Sequence, residues 1–258
     1  MTLQYEKQNT VALITLDRPE VMNAINLDLA GQLSQAWVDF LENETLRVLV
    51  ITGKGPRAFC VGADLKERTR IGQDFHVSSF WDDSLKLPMQ ETNCHKPVIA
   101  AINGHCLGGG MELALMADIR IASENAFFGQ PEINWGIFPG MGATQRLPRV
   151  LPYNLAAEML LTGDPISAIR AFEVGLVNRL VPAGDLMRAA MSLAQRIAEK
   201  APLALKAAKE ALLKSYDLSL GQGLRMEAVL RRIIGDSEDA REGLQAFQEK
   251  RPPVYRGQ

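Results

Sequence analysis

Apolar positions follow two patterns along the chain. In the first half, short β-branched runs are punctuated by turn residues: Val11-Ala12-Leu13-Ile14-Thr15-Leu16 stops at Asp17-Arg18-Pro19, and residues 47–52 stop at Gly53-Lys54-Gly55-Pro56. Unbroken apolar runs of this kind predict buried strands. A third run covers residues 97–102 and ends at Asn103-Gly104, and a fourth covers residues 118–122. Between the first two, Leu29, Leu33, Ala36, Trp37, Phe40 and Leu41 recur at helical spacing. With Asn26 as N-cap they predict a helix over about residues 27–42. Strands alternating with helices indicate an α/β fold.

From about residue 153 the pattern becomes nearly continuous helix, broken at Gly163-Asp164-Pro165, Gly175, Pro182-Ala183-Gly184, Ala201-Pro202 and Gly235-Asp236. Leu203, Leu205, Ala208, Ala211 and Leu212, then Leu224, Ala228, Val229 and Ile233, form apolar stripes on short amphipathic helices. Such stripes need cover, either by packing back on the core or by burial between subunits. The expected organisation is a core over residues 1–190 and a helical appendage over residues 191–258. No internal repeat or low-complexity linker suggests tethered modules.

Charge narrows the possible partners. The chain of 258 residues carries 28 Lys+Arg against 30 Asp+Glu, with both signs spread along it. There is no basic tract to neutralise a phosphate backbone, so nucleic acid is not an expected partner. No apolar run approaches the roughly 20 residues that span a bilayer. The first residues lack the basic and apolar regions of a secretion signal, so no membrane association and a cytoplasmic location are expected. Cys60, Cys94 and Cys106 are odd in number and lack paired or metal-type spacing, so neither a disulfide framework nor a metal site is expected.

Three segments carry candidate chemistry. Within residues 57–66, an apolar run gives way to Gly62 and Ala63 at a possible helix start, where unpaired N–H groups suit an anion or a developing oxyanion. Read alone, this segment is simply a strand-to-helix turn. The second is Gly108-Gly109-Gly110-Met111-Glu112, directly after a strand. Three glycines present N–H groups unobstructed by side chains, yet neither Gly-x-Gly-x-x-Gly nor Gly-Lys-Ser/Thr is met, which argues against a nucleotide site. Glu112 sits in the apolar stretch 111–117, where a carboxylate is desolvated and harder to ionise. An exposed Glu on the polar face of the same helix is the alternative. In the third, Gln130-Pro131-Glu132 leads into a segment rich in glycine, proline and aromatic residues. Two acids in apolar surroundings and two N–H donors suit acid/base chemistry beside a carbonyl.

Together these segments resemble the enoyl-CoA hydratase/isomerase, or crotonase, superfamily. The resemblance runs almost end to end, from the residue 11–19 opening with Asn23-Ala24, through residues 58–66, the glycine triplet with Glu112 and the Gln130-Pro131-Glu132 loop, to Phe247-Gln248-Glu249-Lys250-Arg251. It implies a spiral of repeated ββα units followed by C-terminal helices that assemble trimers, commonly paired into hexamers. It also implies an acyl-CoA thioester substrate, with no cofactor beyond the CoA that is part of that substrate. The thioester oxygen would be polarised by the N–H groups of Ala63 and Gly109. Hydratases of the family hold one water between two glutamates, and Glu112 and Glu132 match both positions, 20 residues apart. By that pattern Glu112 activates the water for attack at C3 and Glu132 delivers a proton to C2, with the Gly140 N–H on the Glu132 carboxylate. Several isomerases retain only the acid at the Glu132 position, so the pair favours hydration; a delta-isomerase or a specialised dehydratase is the alternative.

For CoA the resemblance points to residues 58–66, namely Ala58, Cys60, Gly62, Ala63, Asp64, Leu65 and Lys66, with Lys66 and a neighbouring subunit's Lys250 near the phosphates. The chain departs from common family wording at Asn134-Trp135, Phe138, Met141 and Ala143. Trp135 and Phe138 either narrow the acyl pocket or are ordinary core residues. Residues 70–95, with Phe75, Phe80, Trp81 and Met89, fall where family members vary and cover the acyl chain. Two rival readings are a thioester hydrolase built on Gly104-His105-Cys106-Leu107-Gly108 as a nucleophile elbow, with His105, His95 or His76 as base, and a non-catalytic acyl-CoA scaffold.

Overall fold

The computed structural model describes residues 2–66, 87–90 and 92–258. The apolar runs form a central six-stranded sheet in the order β1-β2-β3-β5-β7-β10, where β1 is Leu3–Gln8, β2 Val11–Leu16, β3 Val48–Gly53, β5 Val98–Ile102, β7 Ile119–Ser123 and β10 Arg179–Val181. Only β1 is antiparallel to its neighbour. A second, four-stranded sheet contains β4 (Ala58–Cys60), β6 (His105–Leu107), β8 (Phe127–Gly129) and β9 (Ile166–Ser167). The chain visits the sheets alternately: β3 leads to β4, β5 to β6 and β7 to β8. That is the repeated turn of a spiral.

Strand periodicity explains the unbroken apolar runs. Ala12, Ile14, Leu16, Leu49, Ile51, Val98, Ala100 and Ile102 enter one core, against Leu29, Leu33, Trp37 and Phe40 of α1 (Leu27–Glu42). The alternate positions Val11, Leu13, Val48, Val50, Ile99 and Ala101 enter a second core, against Leu186, Ala190, Leu193 and Ala194 of α6 (Leu186–Ala198). With both faces covered, neither set of positions needs to be polar. Asn26 caps α1 by accepting from the Leu29 N–H at 2.9 Å, as its position predicts. Between them in chain order lie α2 (Gly109–Met116), α3 (Ala143–Val150), α4 (Tyr153–Thr162) and α5 (Ala168–Glu173).

The structure departs from the sequence reading in three places. Strand β1 was not anticipated, because only its first residue is fully buried and the rest is polar. Strands β9 and β10 lie within the stretch read as continuous helix. They are two and three residues long, too short for a period, and exist because β8 and β7 offer edges to pair with. A boundary at residue 190 would cut α6, which packs on the central sheet throughout, so the core extends to residue 198. Beyond it lie α7 (Pro202–Lys214), α8 (Leu220–Gly235) and α9 (Glu238–Glu249). Their Leu212, Leu224, Val229, Ile233, Leu244 and Phe247 are exposed in the single chain. Among the described residues nothing covers these six side chains, although α7 meets the core through buried Lys209, which donates to Lys96 O and pairs with Asp118.

The chain end returns to the core. Arg47 donates to the carbonyls of Ala198 and Tyr255, both at 2.9 Å, and buried Asp239 accepts from the Arg256 and Gly257 N–H groups. A comparable device anchors the site's helix. Buried Arg120 on β7 donates to Ala114 O and Ala117 O at the C-terminal end of α2, and to Leu176 O. Ala114 O and Ala117 O lie at the negative end of the helix dipole, where a buried cation is favourable. Replacing Arg120 by Met removes the donor to Ala117 O and Leu176 O, while Ala114 O keeps the Ala117 N–H, and should destabilise the fold by about 3 kcal/mol. A urea midpoint equal to that of the wild type would refute this.

Candidate active site

The site forms where β4 and β6 end side by side. After β4, Ile25 N donates to Gly62 O and Asp64 N donates to Ile25 O, an isolated parallel bridge between Ile25 and Ala63. In such a bridge the intervening residue turns its own N–H to the other side, so the Ala63 N–H faces away from Ile25. After β6, Gly109 opens α2, whose first-turn N–H groups have no intrahelical partner. The two segments nearly touch: a methyl group on Gly109 would lie 3.4 Å from Gly62 Cα and 3.9 Å from the Ala63 nitrogen. A methyl group on Gly110 would lie 2.2 Å from Cys60 O, so a side chain there would force the segments apart. The glycines thus bring the Ala63 and Gly109 main chains side by side, an approach suited to setting two N–H donors against charge on an acyl oxygen.

Both carboxylates reach this neighbourhood. Glu112 lies one turn into α2 and is 3% exposed, so the exposed-face alternative does not apply. Its Oε1 accepts from Met141 N at 2.7 Å and Ala143 N at 3.1 Å. Burial pushes its pKa up, while those two N–H groups and the Arg146 charge pull it down. Glu132 sits on a 3-10 turn, Pro131–Trp135, half-buried over the start of α2. A methyl group on Gly108, which has φ +54°, would lie 3.1 Å from Glu132 Oε1. Burial, aided by the Glu112 charge, pushes Glu132 up to about 7. Beside it lies the fully buried Gln130, whose side-chain amide reaches both Glu132 oxygens at 3.0 Å and can donate to them in one of its two amide orientations.

The expected bond from Gly140 N–H to Glu132 is not made. The donors of that loop are the next residues, Met141 and Ala143, and they end on Glu112, because the turn into α3 carries them over α2. Sequence reasoning marked Met141 and Ala143 only as unusual wording and gave Gln130 no role. A backbone N–H leaves no trace in residue type, and nothing in the pattern foretold where this loop crosses.

Among the residues expected around CoA, Ala58 and Cys60 are buried on β4. Ala58 O accepts from the side-chain amides of Asn23 and Asn103, so it belongs to the frame and does not face a ligand. Asp64 pairs with Arg18 at 3.0 Å. Leu65 and Lys66 are exposed at the last described residues of this segment, and Lys250 is exposed where α9 ends. Trp135 and Phe138 are 65% and 72% exposed and are therefore not core. Phe75, His76, Phe80 and Trp81 lie outside the described residues; Met89 is buried. Cys106 is fully buried, its Sγ contacts Gly110 O at 3.5 Å, and burial holds its thiol well above the usual range, which removes the nucleophile-elbow reading.

Comparison with known proteins agrees with this arrangement. The profile of the family described as Enoyl-CoA hydratase/isomerase matches residues 6–258. The chain is 39% identical to the (E)-benzylidenesuccinyl-CoA hydratase of Thauera aromatica over all of both chains. It is 41% identical to the 2,3-dehydroadipyl-CoA hydratase of Escherichia coli, covering 97% of each. A crystal structure of enoyl-CoA hydratase from Bacillus anthracis superposes with a TM-score of 0.92, at 38% identity over 100% of both chains. The chain belongs to the enoyl-CoA hydratase/isomerase family.

Proposed function

We propose that this hydro-lyase adds water reversibly, with syn geometry, across the C2=C3 bond of a 2-enoyl-CoA to give a 3-hydroxyacyl-CoA. The observation that carries the reading is the placement of two desolvated carboxylates, Glu112 and Glu132, around the Ala63 and Gly109 N–H donors. The Ala63 and Gly109 N–H groups hold the thioester oxygen. Glu112, whose two N–H donors and Arg146 offset part of the cost that burial puts on its charge, takes a proton from water as the water oxygen bonds to C3. The C2=C3 electron pair moves toward the thioester carbonyl, and the resulting enolate charge rests on the two N–H groups. Glu132, protonated because burial raises its pKa, gives its proton to C2 as the carbonyl re-forms. Proton exchange with solvent then returns Glu112 to the ionised and Glu132 to the protonated form.

Lys66 and a neighbouring subunit's Lys250 are proposed contacts for the CoA phosphates, with the main chain near Gly62 and Ala63 holding the pantetheine. The exposed stripes of α7, α8 and α9 support a homotrimer or homohexamer. Among the described residues no helix is long and apolar enough to cross a membrane.

With crotonyl-CoA, Glu112→Gln and Glu132→Gln should each lower kcat by about 10²–10⁴, while binding of unreactive butyryl-CoA stays within a few-fold. Hydration at the wild-type rate in both variants would contradict the assigned roles. The pH dependence of kcat/KM should be bell-shaped: activity rises as Glu112 loses its proton and falls as Glu132 loses its own, near about 7. In Glu132→Gln the residual rate should lose the falling limb; its persistence would assign that limb elsewhere. Light scattering should report three or six chains per particle, and a monomer would overturn the subunit-burial reading.

A further inference from the structure

The proposed roles leave Arg146 unexplained, although it is partly buried one turn into α3 beside the acid-base pair. Its Nη1 donates to Met141 O at 3.1 Å and to Met89 O at 2.7 Å. Met141 is therefore held at both ends, its N–H on Glu112 and its carbonyl on the guanidinium. The other partner, Met89, belongs to the 3-10 turn Pro88–Gln90, which packs against α2. Gly142, at φ +112°, makes room for this arrangement: a methyl group there would lie 2.1 Å from Arg146 Nη1.

We propose that Arg146 is the positioning residue for Glu112: it clamps residues 141–143, whose N–H groups grip the carboxylate, and locks that loop to Pro88–Gln90. This rests on the hydratase reading, in which Glu112 must be ionised and aimed at water. A fork of several donors can hold two carbonyls from different segments, whereas a point-charge ammonium holds such a geometry less well. The same cation favours the ionised carboxylate. Among the described residues, the other titratable groups on the elements packed against α2 are few. Cys60 and Cys106 are kept neutral by burial, His105 stacks on Phe127, Arg120 sits at the far end of the helix, and Arg149 is bonded to Gln145 O. Pro88–Gln90 and β5 carry none, and Glu132 is the partner acid.

The test is crotonyl-CoA hydration by Arg146→Gln, Arg146→Lys and Gly142→Ala beside Glu112→Gln, with folding followed by thermal melting. Arg146→Gln should lower kcat by about 10–100-fold with little change in KM, as misplacement of a reacting group does. Its rising limb of kcat/KM against pH should move to higher pH by about half a unit or more, since loss of a nearby cation makes Glu112 harder to ionise. Arg146→Lys keeps the charge and should restore the limb but not the full rate. A folded Arg146→Gln with the wild-type limb overturns the proposal, whether or not its rate falls, because a purely structural role would not move the limb. Should Arg146→Gln fail to fold, Gly142→Ala displaces the same guanidinium: an upward-shifted limb supports the proposal and an unmoved one overturns it. Glu112→Gln separates the two layers. If it hydrates at the wild-type rate, the hydratase roles fail; if it is inactive while the limb is unmoved in the Arg146 or Gly142 variant, only the role of Arg146 fails.

Discussion

The chain leaving β4 and the chain leaving β6 approach so closely that a methyl group on Gly62 would lie 2.8 Å from the Gly109 nitrogen. The rest of the site depends on this backbone contact. It sets the separation between the Ala63 and Gly109 N–H groups, and it starts α2 at the place from which Glu112 points into the protein. The contact itself is a product of the spiral, because consecutive turns put β4 and β6 next to each other in the smaller sheet. A donor pair built from main chain just past the ends of two adjacent strands requires no side-chain rearrangement during reaction, which is the condition for preorganised electrostatic stabilisation.

Around this frame the two glutamates are treated unequally. Both are desolvated, which raises both. Glu112 receives two main-chain donors and the field of Arg146, which offset part of the cost of its charge. Glu132 faces the charge of Glu112 instead, which adds to the cost of ionising it. Two carboxylates in one pocket are thereby pushed toward different protonation states, the separation that an acid and a base acting on the same substrate need.

The helices that follow α6 stand apart from this chemistry in the single chain but not in the assembly proposed for it. Their apolar stripes are exposed, whereas the chain end beyond α9 is bonded firmly back to Arg47 and Asp239. The tail thus fixes α9 on its own subunit while leaving Phe247 and Lys250 outward.

The sequence by itself determined the buried strands, α1 with its Asn26 cap, the family and the two carboxylates. Each of these is written in residue type: unbroken β-branched runs, a helical stripe, a capping side chain, a glycine triplet and two acids in apolar surroundings. Only the tertiary structure decided that β9 and β10 are strands, since two or three residues adopt that form only because an edge is waiting. It alone placed Met141 and Ala143, in preference to Gly140, as donors, and set them on Glu112. It also joined Arg146 to Met89 and Met141, 57 and 5 residues away. A main-chain N–H or carbonyl is the same group in every residue but proline, which lacks the N–H. Which one meets a carboxylate or a guanidinium is therefore settled by where loops cross in space, and the pattern along the chain does not carry that information.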